Sequence, residues 1–211
     1  MAFKLPQKAI VNKFIAKTKF YEKVSLSSKL QNEFINKIQR ITWKYKLAED
    51  TIGISKTDKV TEIQIFEIEL KEQVIPKNVL KVIDKAIPYQ ILYQFVFRDS
   101  TAYGITLKED NTTHNYYLSG WNEKCYFDFT GTDLEKVYQK LIKIFISNEA
   151  KNKGDFDTII DTDNKIKRLK KEIETLVNKI RKEQQFNRKV DLNKSLLDKH
   201  AQLQTIKEAI A

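Results

Sequence analysis

The chain predicts an α+β fold, with a mixed, mostly antiparallel sheet packed by helices and a C-terminal antiparallel helical hairpin. Three observations lead there. Before Lys151, short runs rich in β-branched and aromatic residues alternate apolar with polar, the pattern of half-buried strands. Between them lie stretches with helical spacing. After Lys151 the chain is Gly-poor, Pro-free and charge-laden, and Ile166, Leu169, Ile173, Leu176 and Ile180 recur at steps of three and four. That spacing draws one narrow apolar stripe along a helix, as in a coiled-coil seam. A second stripe, Leu196, His200, Leu203, Ile206 and Ile210, makes a coiled-coil-like arm with the first. The expected division is a globular domain over 1–150 and a hairpin tail over 151–211.

Taken in order, Lys4 to Phe20 reads as a lead-in with a short helix near Gln7 to Phe14. Ser27 or Ser28 caps a helix carrying Leu30, Phe34 and Ile38 on one face, with Glu33 and Lys37 paired at i, i+4 on the other. Ile41 to Leu47 alternates as a half-buried strand. Val60 to Glu72 carries apolar residues on both faces, as a central strand does. Pro76 opens a helix whose apolar side is Val79, Leu80, Val82, Ile83 and Ile87, and Pro88 closes it. Strands follow at Gln90–Phe97, Ala102–Lys108 and His114–Ser119, joined by turns at Arg98-Asp99-Ser100 and Glu109-Asp110-Asn111. Trp121 to Phe129 is expected as an edge strand. Thr132 or Asp133 caps the helix bearing Leu134, Val137, Leu141, Ile144 and Phe145. Asn152-Lys153-Gly154 is the expected hinge, and Gln184 to Asn193 the elbow of the hairpin.

Composition narrows the function classes. Charged residues reach 31%, which long polar helices explain. Cys125 is the single cysteine, so no intrachain disulfide forms and a reducing cytoplasm is expected. No apolar run approaches the ~20 residues of a membrane span, and the N-terminus lacks a signal-peptide core. The net charge of +10 is uneven: residues 1–58 carry +7, 59–150 carry −2 and 151–211 carry +5. Basic flanks attract phosphate, although lysine, which predominates here, recognises it less specifically than arginine.

The sharpest chemical candidate is Glu67-Ile68-Glu69-Leu70-Lys71. Strand periodicity puts Glu67, Glu69 and Lys71 on one face, where two carboxylates can hold Mg²⁺ and a lysine can meet phosphate. The segment resembles the Glu-x-Lys half of the restriction-endonuclease-like nuclease motif, with Asp50 or Asp58 as the upstream acid. No Pro-Asp pair precedes it. The plainer reading is a strand whose alternate charges meet water. Asp155, Asp157, Asp161 and Asp163 lack the glycine and terminal glutamate of a calcium loop and suit a helix N-terminus. His114, His200 and Cys125 have no zinc-ligand spacing, and the five glycines form no phosphate-cradling loop. Tyr103, Tyr116, Tyr117, Trp121, Tyr126 and Phe127 suit a core first and a base-stacking face second. Phe186, in a polar stretch with Val190 and Leu192, is expected to be buried, either at the hairpin tip or against a partner.

Three blocks, Trp43 to Leu47, Glu62 to Lys71 and Ile83 to Tyr89, together with Glu183 to Asn193, resemble a bacterial family of unknown function. The resemblance spans nearly the whole chain. Members of that family are often encoded beside restriction-type helicases and DNA methyltransferases. The family has no established activity to carry over. With the seam, the two basic flanks and the missing catalytic motif, this neighbourhood leads to the expectation of a non-catalytic accessory component of a restriction or phage-defence system, with a helicase or methyltransferase as partner, DNA nearby and no cofactor. The expected contacts are Lys167, Arg168, Lys170, Lys171, Arg181, Lys182, Phe186, Arg188 and Lys189. The alternative is a nuclease using Mg²⁺ at Glu67, Glu69 and Lys71. The tail's seam is also suited to pairing with a second copy.

Overall fold

Six strands form one sheet in the order of the chain, in a computed structural model that describes residues 3–110, 113–147, 150–151 and 154–208. The strands are β1 (Ile10–Phe14), β2 (Ile38–Leu47), β3 (Ile63–Leu70), β4 (Gln90–Phe97), β5 (Ser100–Asp110) and β6 (Thr113–Leu118). All neighbours run antiparallel except β3 and β4, which are parallel. A parallel pair needs a crossover, and α4 (Lys77–Ala86) supplies it. The other helices are α1 (Thr18–Lys23), α2 (Ser28–Lys37), α3 (Glu49–Ile52), α5 (Leu134–Lys143), α6 (Phe156–Lys182) and α7 (Phe186–Glu208). The chain divides into two compact units, Met1–Phe145 and Ile146–Ala211.

In the first unit the two faces of the sheet follow from strand register. Phe66, Tyr93, Gly104 and Leu118 lie in one cross-strand row, and Ile68, Phe95 and Ala102 in another. This face packs under α1, α2 and α4, with Phe34, Ile38, Ile41, Leu80 and Ile83 fully buried between. Each such side chain contributes roughly 1.5–3 kcal/mol of burial. Gly104 is needed there: a Cβ would stand 2.5 Å from Leu118 Cδ2 and 3.1 Å from Phe95 Cε2. On the opposite face Ile65, Leu92, Ile105 and Tyr117 form a buried row, and α5 lies against β5. The Tyr138 hydroxyl of α5 donates to the Thr106 carbonyl.

Local signals explain most element ends. The Ser27 hydroxyl accepts from the Leu30 N–H and caps α2, and Glu33 and Lys37 pair at 3.6 Å. Asp133 caps α5 through the Lys136 N–H at 2.8 Å. The structure also corrects the sequence reading. Gln7–Ala9 is a 3₁₀ turn, and Ile10–Phe14 is the edge strand β1 rather than helix. Asn12 there has φ +48°, and the register with β2 shifts around it. Ile38 opens β2 instead of closing the α2 face. Trp121 to Phe129 forms no strand; Asn122 turns left-handed at φ +59°, and its N–H donates to the Thr101 carbonyl of β5 at 2.7 Å.

The second unit is a helical pair. Ile166 and Leu169 are buried and Ile173, Leu176 and Ile180 half-buried along α6. They face Leu192, Leu196, Leu203 and Ile206 of α7, at steps of three, four and seven. His200 is exposed, off that seam. Lys199 occupies its place, with Nζ 2.8 Å from Glu172 Oε2. The elbow is only residues 183–185, because Phe186 to Asn193 is the start of α7. Asp155 caps α6 through the Thr158 N–H at 2.8 Å. Buried Asp163 accepts from the Ser147 N–H and hydroxyl, at 3.0 and 2.9 Å, and so ties the preceding segment to α6. The Asn111 turn, Asn152 and Lys153 of the expected hinge, and Ile210 of the expected seam lie outside the described residues.

Candidate functional site

Strand β3 does put Glu67 and Glu69 on one face, but cross-strand neighbours decide what they meet. Glu67 lies in the row Thr42–Glu67–Gln94–Tyr103, and Glu69 in the row Arg40–Glu69–Val96–Thr101. Neither row holds another acid. Glu67 pairs with Lys44 at 3.5 Å and Glu69 with Arg40 at 4.0 Å. Lys71 stands past the strand end, where its N–H donates to the Lys37 carbonyl. Asp50 pairs with Lys46 at 3.1 Å, and Lys46 also reaches Glu62, roughly 23 Å along the chain from Glu69 at strand rise. Asp58 is exposed in the loop before β3. Among the described residues no three acidic, histidine or cysteine side chains are placed to share a metal ion. The structure therefore brings Glu67 and Glu69 together without a third acid.

The arm residues separate into two groups. Lys167 pairs with Asp163 at 2.6 Å and Arg168 with Glu172 at 3.2 Å, both at i, i+4. Lys170 and Lys171 follow in the same two turns, exposed. About 18 Å further along α6, Arg181 and Lys182 end the helix, where cations complement its dipole. Arg188 and Lys189 lie in the first turn of α7, so these four gather at the tip. Lys179, Lys182 and Arg188 line an open cavity of about 460 Å³ there, beside Glu183, Asp191 and Leu192.

Phe186 does not close the tip. Its side chain is 78% exposed, and Val190 and Leu197 are 50% and 69% exposed. Spacings of four and seven place the three in one row, on a side of α7 separate from the Leu192–Leu196–Leu203 seam. Leu192 alone of the expected tip residues turns inward.

A third feature escaped the sequence reading. Asp84 of α4 is 3% exposed and accepts three hydroxyls: Tyr93 at 3.0 Å, Thr106 at 3.0 Å and Tyr116 at 2.6 Å. Lys108 Nζ lies 3.9 Å from Asp84 Oδ1 and donates to the carbonyls of Asp84, Ile87 and Tyr89, where α4 ends. Burial pushes the Asp84 carboxyl up, against its hydroxyl donors and Lys108, and pushes the Lys108 ammonium down. Burial and the Asp84 charge hold the Tyr93 and Tyr116 phenols protonated, well above their ordinary range. The set is closed on itself and acts as a polar lock between α4 and the sheet. Its one sequence signal was an acid at i, i+4 from Leu80, on the apolar side of α4.

On the opposite face, aromatic side chains line a cleft of about 690 Å³. Tyr103 and Phe127 meet edge-on at 4.8 Å between centroids, with Phe3 at 5.3 Å from Phe127. Of the six aromatics considered from sequence, Tyr103, Tyr126 and Phe127 come together here. Tyr116, Leu118 and Trp121 pack with the α4 face, and Tyr117 is buried.

The chain belongs to the family described as "Domain of unknown function (DUF4391)", whose model matches residues 3–203. No curated protein and no solved structure matches it.

Proposed function

We propose that this family member is a non-catalytic accessory protein that docks on a protein partner through the tip of its helical arm. In this reading it serves a bacterial restriction or phage-defence system in the cytoplasm, and DNA lies beside the docked tip. The observation that carries it is the uncovered row of Phe186, Val190 and Leu197. Large apolar side chains on a helix surface anchor helix-in-groove contacts through i, i+4 and i+7 spacing. Arg181, Lys182, Arg188 and Lys189 flank the row and outnumber Glu183 and Asp191, so the matching groove is expected to be apolar with an acidic or phosphate-bearing rim. The resemblance drawn from the sequence, to proteins encoded beside restriction-type helicases and DNA methyltransferases, directs the choice of partner to those two classes.

Affinity purification of the tagged protein from its host tests this. Recovery of a helicase or methyltransferase by the wild type, and its loss with Phe186→Ala at unchanged melting temperature, is expected. Recovery of neither, with no retention on DNA at low salt, would contradict the reading.

A further inference from the structure

We propose that the aromatic cleft between β5, the N-terminal segment and residues 122–127 is a binding site for an unpaired nucleobase carrying a phosphate. The site belongs to the first unit, which the arm reading does not use, so either can fail without the other.

The cleft has the size of a small-ligand pocket and the lining of one. Its floor is Tyr103, buried on β5, with Phe127 against it and Phe3 closing one side. Tyr126 lines the mouth with 75% of its surface in water, so one aromatic ring is open to a flat partner. Stacking on such rings tolerates any base, because every base offers a π face. A base within a duplex has both faces covered and cannot enter.

Charge selects the rest of the ligand. Lys4 and Lys124 line the cleft, and neither has an ion-pair or hydrogen-bond partner among the described residues. The acid at the rim, Glu123, is already engaged, accepting the Gly120 N–H at 2.6 Å. Two uncommitted cations beside an aromatic floor suit a phosphate attached to a base. Cys125 adds no chemistry of its own. Burial, and then Glu123, push its thiol up, so it faces the cleft as a neutral thiol and not as a nucleophile. Asn122, the left-handed residue, holds the segment in place by accepting the Thr101 N–H at 3.0 Å and donating to Ser100 Oγ.

The full chain is titrated, by fluorescence anisotropy, with labelled oligothymidine, an oligomer of abasic sites of equal length, and the corresponding duplex. Thymidine monophosphate is added as competitor. Oligothymidine should bind more tightly than the abasic oligomer and the duplex, with quenching of tyrosine fluorescence. Tyr126→Ala should weaken it roughly tenfold, and Lys124→Glu should lower both affinity and salt dependence, with melting temperatures unchanged. Competition by the monophosphate at comparable concentration identifies the ligand as a free nucleotide; competition by strand alone identifies it as single-stranded nucleic acid. Equal binding of oligothymidine and the abasic oligomer, preference for duplex, or affinity unmoved by both substitutions would overturn the proposal.

Discussion

Asp84 shows how much one residue can hold. Its carboxylate receives three hydroxyls and faces Lys108, and all are removed from water together. Asp84→Ala leaves Tyr93, Thr106 and Tyr116 without their acceptor and Lys108 without its counter-charge, and should cost about 3–5 kcal/mol in chemical denaturation. The pH dependence has a definite sign. The native carboxyl lies above its unfolded value, so the native state binds the proton more tightly than the unfolded chain. Its contribution is therefore greatest below the unfolded value, near pH 4, and declines as pH rises through the raised native one. The wild type should lose stability over that window relative to Asp84→Asn, which cannot ionise. A constant difference between the two across that range would show that the carboxyl is not shifted.

At the scale of elements, the hairpin separates what sequence spacing can and cannot reveal. The α6 stripe was legible because Ile166, Leu169, Ile173, Leu176 and Ile180 are all apolar. The α7 stripe was misplaced at His200, because the seam tolerates a lysine that snorkels to Glu172 where an apolar residue was expected. His200→Ala should thus change helix melting by less than about 0.5 kcal/mol, whereas Leu203→Ala should cost about 2–4 kcal/mol, followed by circular dichroism. Strand β4 is legible to its ends, as a β-branched and aromatic run between Pro88 and the turn at Arg98. Edge strand β1 was not, since Asn12 breaks its alternation and Ile10 and Phe14 stay exposed. The β3 acids were correctly placed on one face, yet spacing within a strand cannot show that β2 supplies a cation to each. Glu69→Ala, which removes one half-exposed pair, should shift stability by under about 1 kcal/mol. DNA incubated with Mg²⁺ should remain as intact with wild type as with that variant; Glu69-dependent cleavage would revive the nuclease alternative.

For the whole molecule, the uneven charge matters more than its total. The basic flanks were visible in the sequence, but only the fold distinguishes cations held in ion pairs, such as Lys167 and Arg168, from those gathered at the tip of the arm. No helix among the described residues is long and apolar enough to cross a membrane. If the tip lies against DNA, log affinity should fall linearly with log salt, and the double substitution Arg188→Glu with Lys189→Glu should reduce that slope by about two. Substituting Lys167 and Arg168 instead should leave it nearly unchanged. A slope that responds equally to both pairs would place the contact along the arm.

The central claim is that the uncovered row on α7 holds a protein partner, and it is tested most directly by titrating the purified helicase or methyltransferase with wild type and with Phe186→Ala. An exposed anchor should cost about 2 kcal/mol or more in binding, some thirtyfold in Kd, while leaving the melting temperature unchanged because Phe186 touches little of its own chain. An unchanged Kd, or a loss of binding that follows a fall in melting temperature, would contradict the claim.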